Sequence, residues 1–216
     1  MSLLALTSIL LFFSMAFTTI NARTVLPVPV VDRDGDPVQV GVYYHLVSVI
    51  RGAGSGAVAL GPNRNDTKTC PLSVVQLGID AMRALPIRFI PVAPLGDGVD
   101  VLTFTDYILQ FNTTGTDSSI CGKDPIWKYF ISTTNQITTD MKLRFKIERV
   151  GPIIHPWYDY KLSYSPILCS PSAIVYCKKD IGVYWDDEVR RLALTDDSPL
   201  VLGFYKASSV EQINVL

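Results

Sequence analysis

Short runs of β-branched and aromatic residues, many alternating apolar and polar, dominate the chain from residue 38 to residue 205. The longest, residues 38–50, contains Val38, Val40, Val42, Tyr43, Tyr44, Leu46, Val47, Val49 and Ile50. Runs at 73–76, 86–90, 101–104, 107–111, 127–131, 143–147, 160–164, 181–185, 191–194 and 200–205 also read as strands. Residues 143–147 and 160–164 alternate with strict period two, the signature of a half-buried strand. Turn clusters separate the runs, among them Asp34-Gly35-Asp36-Pro37, Gly61-Pro62-Asn63 and Gly96-Asp97-Gly98. No helix longer than two turns is predicted; the best candidate, residues 79–85, runs into Pro86. About a dozen short strands at close spacing predict an all-β barrel or sandwich. A three-fold repeat would need units of about 60 residues, and none is apparent in the sequence.

The first residues break this pattern. No charged side chain precedes Arg23, and an apolar stretch through Leu10-Leu11-Phe12-Phe13 ends at the small residue Ala22. Residues 1–22 therefore read as a secretory signal peptide. A membrane anchor is the competing reading. Ser8, Ser14, Thr18, Thr19 and Asn21 interrupt the stretch, which suits a cleaved signal better than a span. No linker or composition shift divides residues 23–216, which read as a single domain large enough for its own core. The expected location is extracellular (apoplast), with the vacuole as the other possible end point.

Charge and cysteine content narrow the partners. The 19 basic and 20 acidic residues leave a net charge of -1. Such a chain lacks the basic footprint expected for nucleic acid or an anionic membrane surface. Cys70, Cys121, Cys169 and Cys177 are an even set in an exported chain, which reads as two disulfides. Three pairings are open; the short spacing of Cys169 and Cys177 favours a local bridge, leaving Cys70 with Cys121. A zinc site is the alternative, but the chain has no C-x-x-C pair and only two histidines, His45 and His155. Asn65-Asp66-Thr67 and Asn112-Thr113-Thr114 are acceptor sequons, making Asn65 and Asn112 candidate glycosylation sites.

The motifs that suggest chemistry fail on position. Asp32-Arg33-Asp34-Gly35-Asp36 resembles a calcium loop, yet its glycine is fourth and the twelfth residue is Tyr43; a β-turn is expected. Gly52-Ala53-Gly54-Ser55-Gly56-Ala57 fits a loose dinucleotide pattern without a helix to follow it; a turn between strands is expected. No cofactor and no metal are predicted. Asp186-Asp187-Glu188 and Asp196-Asp197 supply carboxylates, and a glycosidase needs only two at the right separation. His45 should be a partly buried strand residue and His155 a loop residue, and neither has a nucleophile partner.

Taken in order, several segments resemble one family. Val30-Val31-Asp32-Arg33-Asp34-Gly35-Asp36-Pro37-Val38 with Tyr44-His45-Leu46, Cys70-Pro71-Leu72-Ser73-Val74-Val75-Gln76, and Phe145-Lys146-Ile147-Glu148-Arg149-Val150 resemble plant Kunitz-type (soybean trypsin inhibitor family) proteins. Tyr160-Lys161-Leu162, Cys177-Lys178-Lys179-Asp180-Ile181-Gly182 and Arg190-Arg191-Leu192-Ala193-Leu194 extend the likeness to the last third. The resemblance implies a β-trefoil, a six-stranded barrel capped by hairpins, and the pairs Cys70–Cys121 and Cys169–Cys177. It also implies a monomeric serine-protease inhibitor that presents a rigid exposed loop, in plant defence or storage, rather than an enzyme. Two departures stand out: Cys169 falls four residues later than the family's third cysteine, where Ser165 stands, and Val40 replaces the asparagine that braces the loop.

The loop itself has two registers. One puts the primary position at Pro86; counting from Cys70 puts it at Ala93, followed by Pro94, within Pro91-Val92-Ala93-Pro94-Leu95. The count is preferred because it keeps strand lengths intact. Both registers lack a basic primary residue, so the expected partner is a protease other than trypsin, elastase-like or subtilisin-like. The alternatives are a secreted cell-wall glycosidase, for instance releasing terminal fucose or galactose through Asp187, Glu188 or Asp197, and a carbohydrate- or small-ligand-binding trefoil.

Overall fold

The computed structural model describes residues 26–52, 55–62, 72–78, 84–94, 98–113, 126–129, 132–134, 143–151, 158–164 and 179–207. Twelve strands lie among them: β1 (Tyr43–Ser48), β2 (Val58–Gly61), β3 (Ser73–Gln76), β4 (Ile87–Pro91), β5 (Tyr107–Phe111), β6 (Ile126–Tyr129), β7 (Ser132–Thr134), β8 (Phe145–Val150), β9 (Asp159–Tyr164), β10 (Lys179–Asp186), β11 (Val189–Thr195) and β12 (Leu202–Lys206). No α-helix occurs among the described residues. Of the helix candidate 79–85, only Ala84 and Leu85 are described, and they are irregular.

The pairings close a ring. β1 pairs with β12 and β4, β4 with β5, β5 with β8, β8 with β9, and β9 with β12, all antiparallel. Closure leaves the barrel no free edge. The other six strands form the hairpins β2–β3, β6–β7 and β10–β11. A six-stranded barrel with three hairpins is a β-trefoil of three four-strand repeats.

The repeat that the sequence hid is a Tyr-x-Leu triplet. Tyr44-His45-Leu46, Tyr107-Ile108-Leu109 and Tyr160-Lys161-Leu162 lie in β1, β5 and β9, with both outer residues of each triplet buried. Each tyrosine hydroxyl accepts a backbone N–H, from Gln39 (3.0 Å), Leu102 (2.8 Å) and Val31 (2.9 Å) respectively. Burial pushes all three hydroxyls above the ordinary tyrosine value, so they stay protonated. A buried ring with its polar tip satisfied fixes the loop that supplies the donor. Around these rings Phe89 meets Tyr107 at 5.9 Å and Phe204 at 5.6 Å edge to face, and Trp127 lies tilted 4.8 Å from Phe145.

Four segments differ from the sequence pattern, each for a local reason. In 38–50 only Tyr43–Ser48 is strand, because Gly41 sits at φ 80 and turns the chain between Val40 and Tyr43. Residues 101–104 give only a bridge of Leu102 to Pro29, and Phe104 takes φ 58. β2 is buried on both faces and contains Ala59 and Gly61, so it shows neither alternation nor β-branched enrichment. β7 is Ser-Thr-Thr and has no apolar signal.

Candidate functional site

The loop after β4 leaves the barrel from a well-tied base. β4 and β5 pair through Pro91 opposite Tyr107, and the Val92 N–H extends the ladder to the Asp106 carbonyl (3.1 Å). Pro91 and Val92 are half-buried, whereas Ala93 and Pro94 are exposed. Leu95 lies outside the described residues. The other register is unsuited to an exposed bond: Ile87 is fully buried, paired to Phe111 on one side and Tyr44 on the other.

The return leg leans on the start of the chain. Val30 and Thr103 donate to the Val101 and Val28 carbonyls, Val101 donates to Val38, and Val40 donates to Val99 (2.8 Å). Gly98 donates back to the Val40 carbonyl (3.3 Å), and Gly41 donates to Phe89 on the outgoing leg (3.3 Å). Residues 38–41 therefore bond to both legs through their backbone. The Val40 side chain is 3% exposed and has no hydrogen-bonding group, so where an asparagine would reach the loop there is only packing.

Two prolines, Pro91 and Pro94, restrict the outgoing leg. Proline fixes its own φ and biases the preceding residue toward extended conformations, so Ile90 through Pro94 has few alternatives to lose on binding. A surface cleft of about 290 Å³ opens beside the loop, lined among others by the apolar Val40, Ile90, Pro91 and Pro94 and by the charged Arg88.

The remaining sequence candidates do not converge. Asp187 and Glu188 are exposed at the tip of the β10–β11 hairpin, Asp187 at φ 54. Asp197 is exposed beyond the far end of β11, on the order of 20 Å away at the usual strand rise, against the 5–9.5 Å a carboxylate pair needs. Asp186 is buried and forms an ion pair with Arg191 at 2.7 Å, and Asp196 pairs with Lys179. Asp32 is a turn residue: its Oδ1 accepts the N–H groups of Asp34 and Asp36 (both 3.0 Å), with Gly35 at φ 90. Among the described residues no group of three or more potential ligands is placed to hold a metal. Gly52 sits at φ 76, and its carbonyl accepts from the Ser55 N–H and Oγ.

His45 is half-buried in β1; burial lowers its pKa, opposed by a hydrogen bond with the Ala84 backbone. Its Nδ1 is buried without a hydrogen-bond partner among the described residues. Asn112 follows β5 at the end away from the loop, half-buried, with its N–H donating to Pro86 (2.8 Å). Cys70, Cys121, Cys169, Cys177, Asn65, His155 and residues 1–22 lie outside the described residues. The feature missed from sequence was the role of residues 28–40 as scaffold for the return leg; the Tyr-x-Leu spacing was its available signal.

Known proteins share this arrangement. The profile of the Kunitz legume family, described as "Trypsin and protease inhibitor", matches residues 30–206. Kunitz trypsin inhibitor 5 of Arabidopsis thaliana is 32% identical over 83% of this chain and 86% of its own length. Aspartic protease inhibitor 8 of Solanum tuberosum is 30% identical, covering 89% of this chain and 91% of its own. The crystal structure of a Kunitz-type trypsin inhibitor from Cicer arietinum superposes with a TM-score of 0.63 at 26% identity, covering 83% of this chain and 99% of that one. With the closed trefoil ring and the tied β4–β5 loop, these matches settle the lineage: the chain belongs to the Kunitz legume family of trypsin and protease inhibitors.

Proposed function

We propose that this protein is a secreted, monomeric Kunitz-type protease inhibitor whose contact element is the β4–β5 loop, with Ala93 and Pro94 at its apex and a target other than trypsin. The observation that carries this reading is the exposure of Ala93 and Pro94 between two hydrogen-bonded legs. A restrained, protruding segment loses little conformational entropy when it enters a protease cleft. Neither a methyl group nor a pyrrolidine ring reaches an acidic primary pocket of the trypsin type. The relatives' names span trypsin and aspartic protease inhibitors, so the target class rests on the loop rather than on lineage. A binding module, not an enzyme, fits the scattered carboxylates.

Bridges Cys70–Cys121 and Cys169–Cys177 belong to the same reading, and non-reducing peptide mapping checks them. A glycan on Asn112 would sit at the barrel end away from Pro91 and leave the loop uncovered. A panel of trypsin, elastase, subtilisin, a papain-type and an aspartic protease tests the function. Stoichiometric inhibition of a non-trypsin member, with trypsin hardly affected, is expected. Tight inhibition of trypsin, or of no member, would overturn it.

A further inference from the structure

The cleft beside the loop combines a cationic side chain with an apolar lining. Among the described residues its one charged lining residue is Arg88. Arg88 belongs to a row that crosses three strands, Tyr43 on β1, Arg88 on β4 and Gln110 on β5, each half-buried. The guanidinium Nε donates to Gln110 Oε1 at 2.7 Å, and its Cζ lies 5.4 Å from the centre of the Tyr43 ring. Both partners are neutral. Arg33, Lys146, Lys161, Lys179 and Arg191 each have a carboxylate within ion-pair distance; among the described residues Arg88 has none.

A half-buried cation without a counter-charge is a poor use of burial unless a ligand supplies the charge. Gln110 takes the Nε–H, and the Tyr43 ring lies under Cζ. Its terminal N–H donors have no acceptor among the described residues, and a planar guanidinium binds carboxylates by two parallel hydrogen bonds. Beside the charge, Ile90, two residues along β4 on the same face, and Pro91 and Pro94 supply an apolar lining. We propose that this cleft binds a small organic acid of about 10–15 non-hydrogen atoms, its carboxylate on Arg88 and its apolar body against Ile90, Pro91 and Pro94.

The test is calorimetric titration of the folded protein with 4-phenylbutyrate and with its primary amide. The wild type should bind the acid with a dissociation constant on the order of 0.1–1 mM and the amide at least about tenfold more weakly. Arg88→Met should bind acid and amide alike, and Arg88→Lys should recover part of the preference. The Arg88 Nε–H and Gly41 amide resonances should shift with the acid. Equal affinity for acid and amide in the wild type, no binding of either, or a preference that survives Arg88→Met overturns the proposal. Should Arg88→Met fail to fold by thermal unfolding, the acid–amide comparison and the Nε–H resonance of the wild type still decide.

Discussion

Two connections leave the barrel at equivalent places in the repeat, and they differ in length and support. β4–β5 is joined by residues 92–106 and β8–β9 by residues 151–158, each running into the next Tyr-x-Leu strand. The ladders run to the base of both, at Pro91 opposite Tyr107 and Val150 opposite Asp159. The short connection turns at Gly151 (φ 75) and is pinned by the Arg149 guanidinium, 3.7 Å from the Tyr158 ring centre. The long one cannot support itself that way. Its return leg leans on residues 28–40 through isolated bridges and backbone hydrogen bonds, and Pro91 and Pro94 restrict its outgoing leg. At one junction of the scaffold the described support is local, from Arg149 on Tyr158; at the other it comes from residues 28–40, distant in sequence.

The largest expected effect removes the common support. Phe89→Ala deletes a fully buried ring that packs on Tyr107 and Phe204, and should cost about 3–5 kcal/mol in denaturant unfolding. Because the barrel is shared, both connections should lose amide-exchange protection together. A loss confined to β4–β5 would show the loop to be a separate cooperative unit.

A smaller change should separate the two. Tyr107→Phe leaves the Leu102 N–H without its acceptor, costing about 1–3 kcal/mol. Exchange should quicken across 98–103 and remain slow at the base of β8–β9. Tyr160→Phe releases the Val31 N–H instead and, through residues 28–40, should also loosen the return leg. Uniform loss of protection in both variants would contradict the division of labour.

The smallest effect concerns His45 in β1, the strand that pairs directly with β4 but not with β8 or β9. Burial lowers its pKa, so the unfolded chain takes up the proton first as pH falls. The resulting stability is complete above the unfolded value near 6.5 and declines as pH drops through the window below it toward the folded value. His45→Gln should flatten that part of the stability–pH curve, measured by urea unfolding. An unchanged slope would mean that Nδ1 finds a partner on protonation.

Much of the barrel was legible because its strands alternate: Phe145 and Ile147 point inward in β8, as do Tyr160 and Leu162 in β9. β2 and β7 were not, since Val58-Ala59-Leu60-Gly61 is buried without alternation and Ser132-Thr133-Thr134 has no apolar member. The exposure of Ala93 and Pro94 after β4 accords with a turn-forming, proline-rich stretch. The support for the return leg was not legible, because a β-rich run from 38 to 50 hides the bend at Gly41 that lets Val40 serve the return leg and Tyr43 serve β4. The Arg88 row was invisible for a related reason: strand register brings Tyr43, Arg88 and Gln110 side by side from distant parts of the chain.

The most direct test of the account is an active-site titration of a non-trypsin serine protease of elastase or subtilisin type with the wild type and with Ala93→Asp. Ala93 is exposed and lies outside the core, so the variant should keep its unfolding midpoint. The account predicts one-to-one inhibition by the wild type, weakened at least about a hundredfold by the buried charge the variant would bring to an apolar primary pocket. Equal inhibition by both proteins would place the contact surface elsewhere and contradict the central claim.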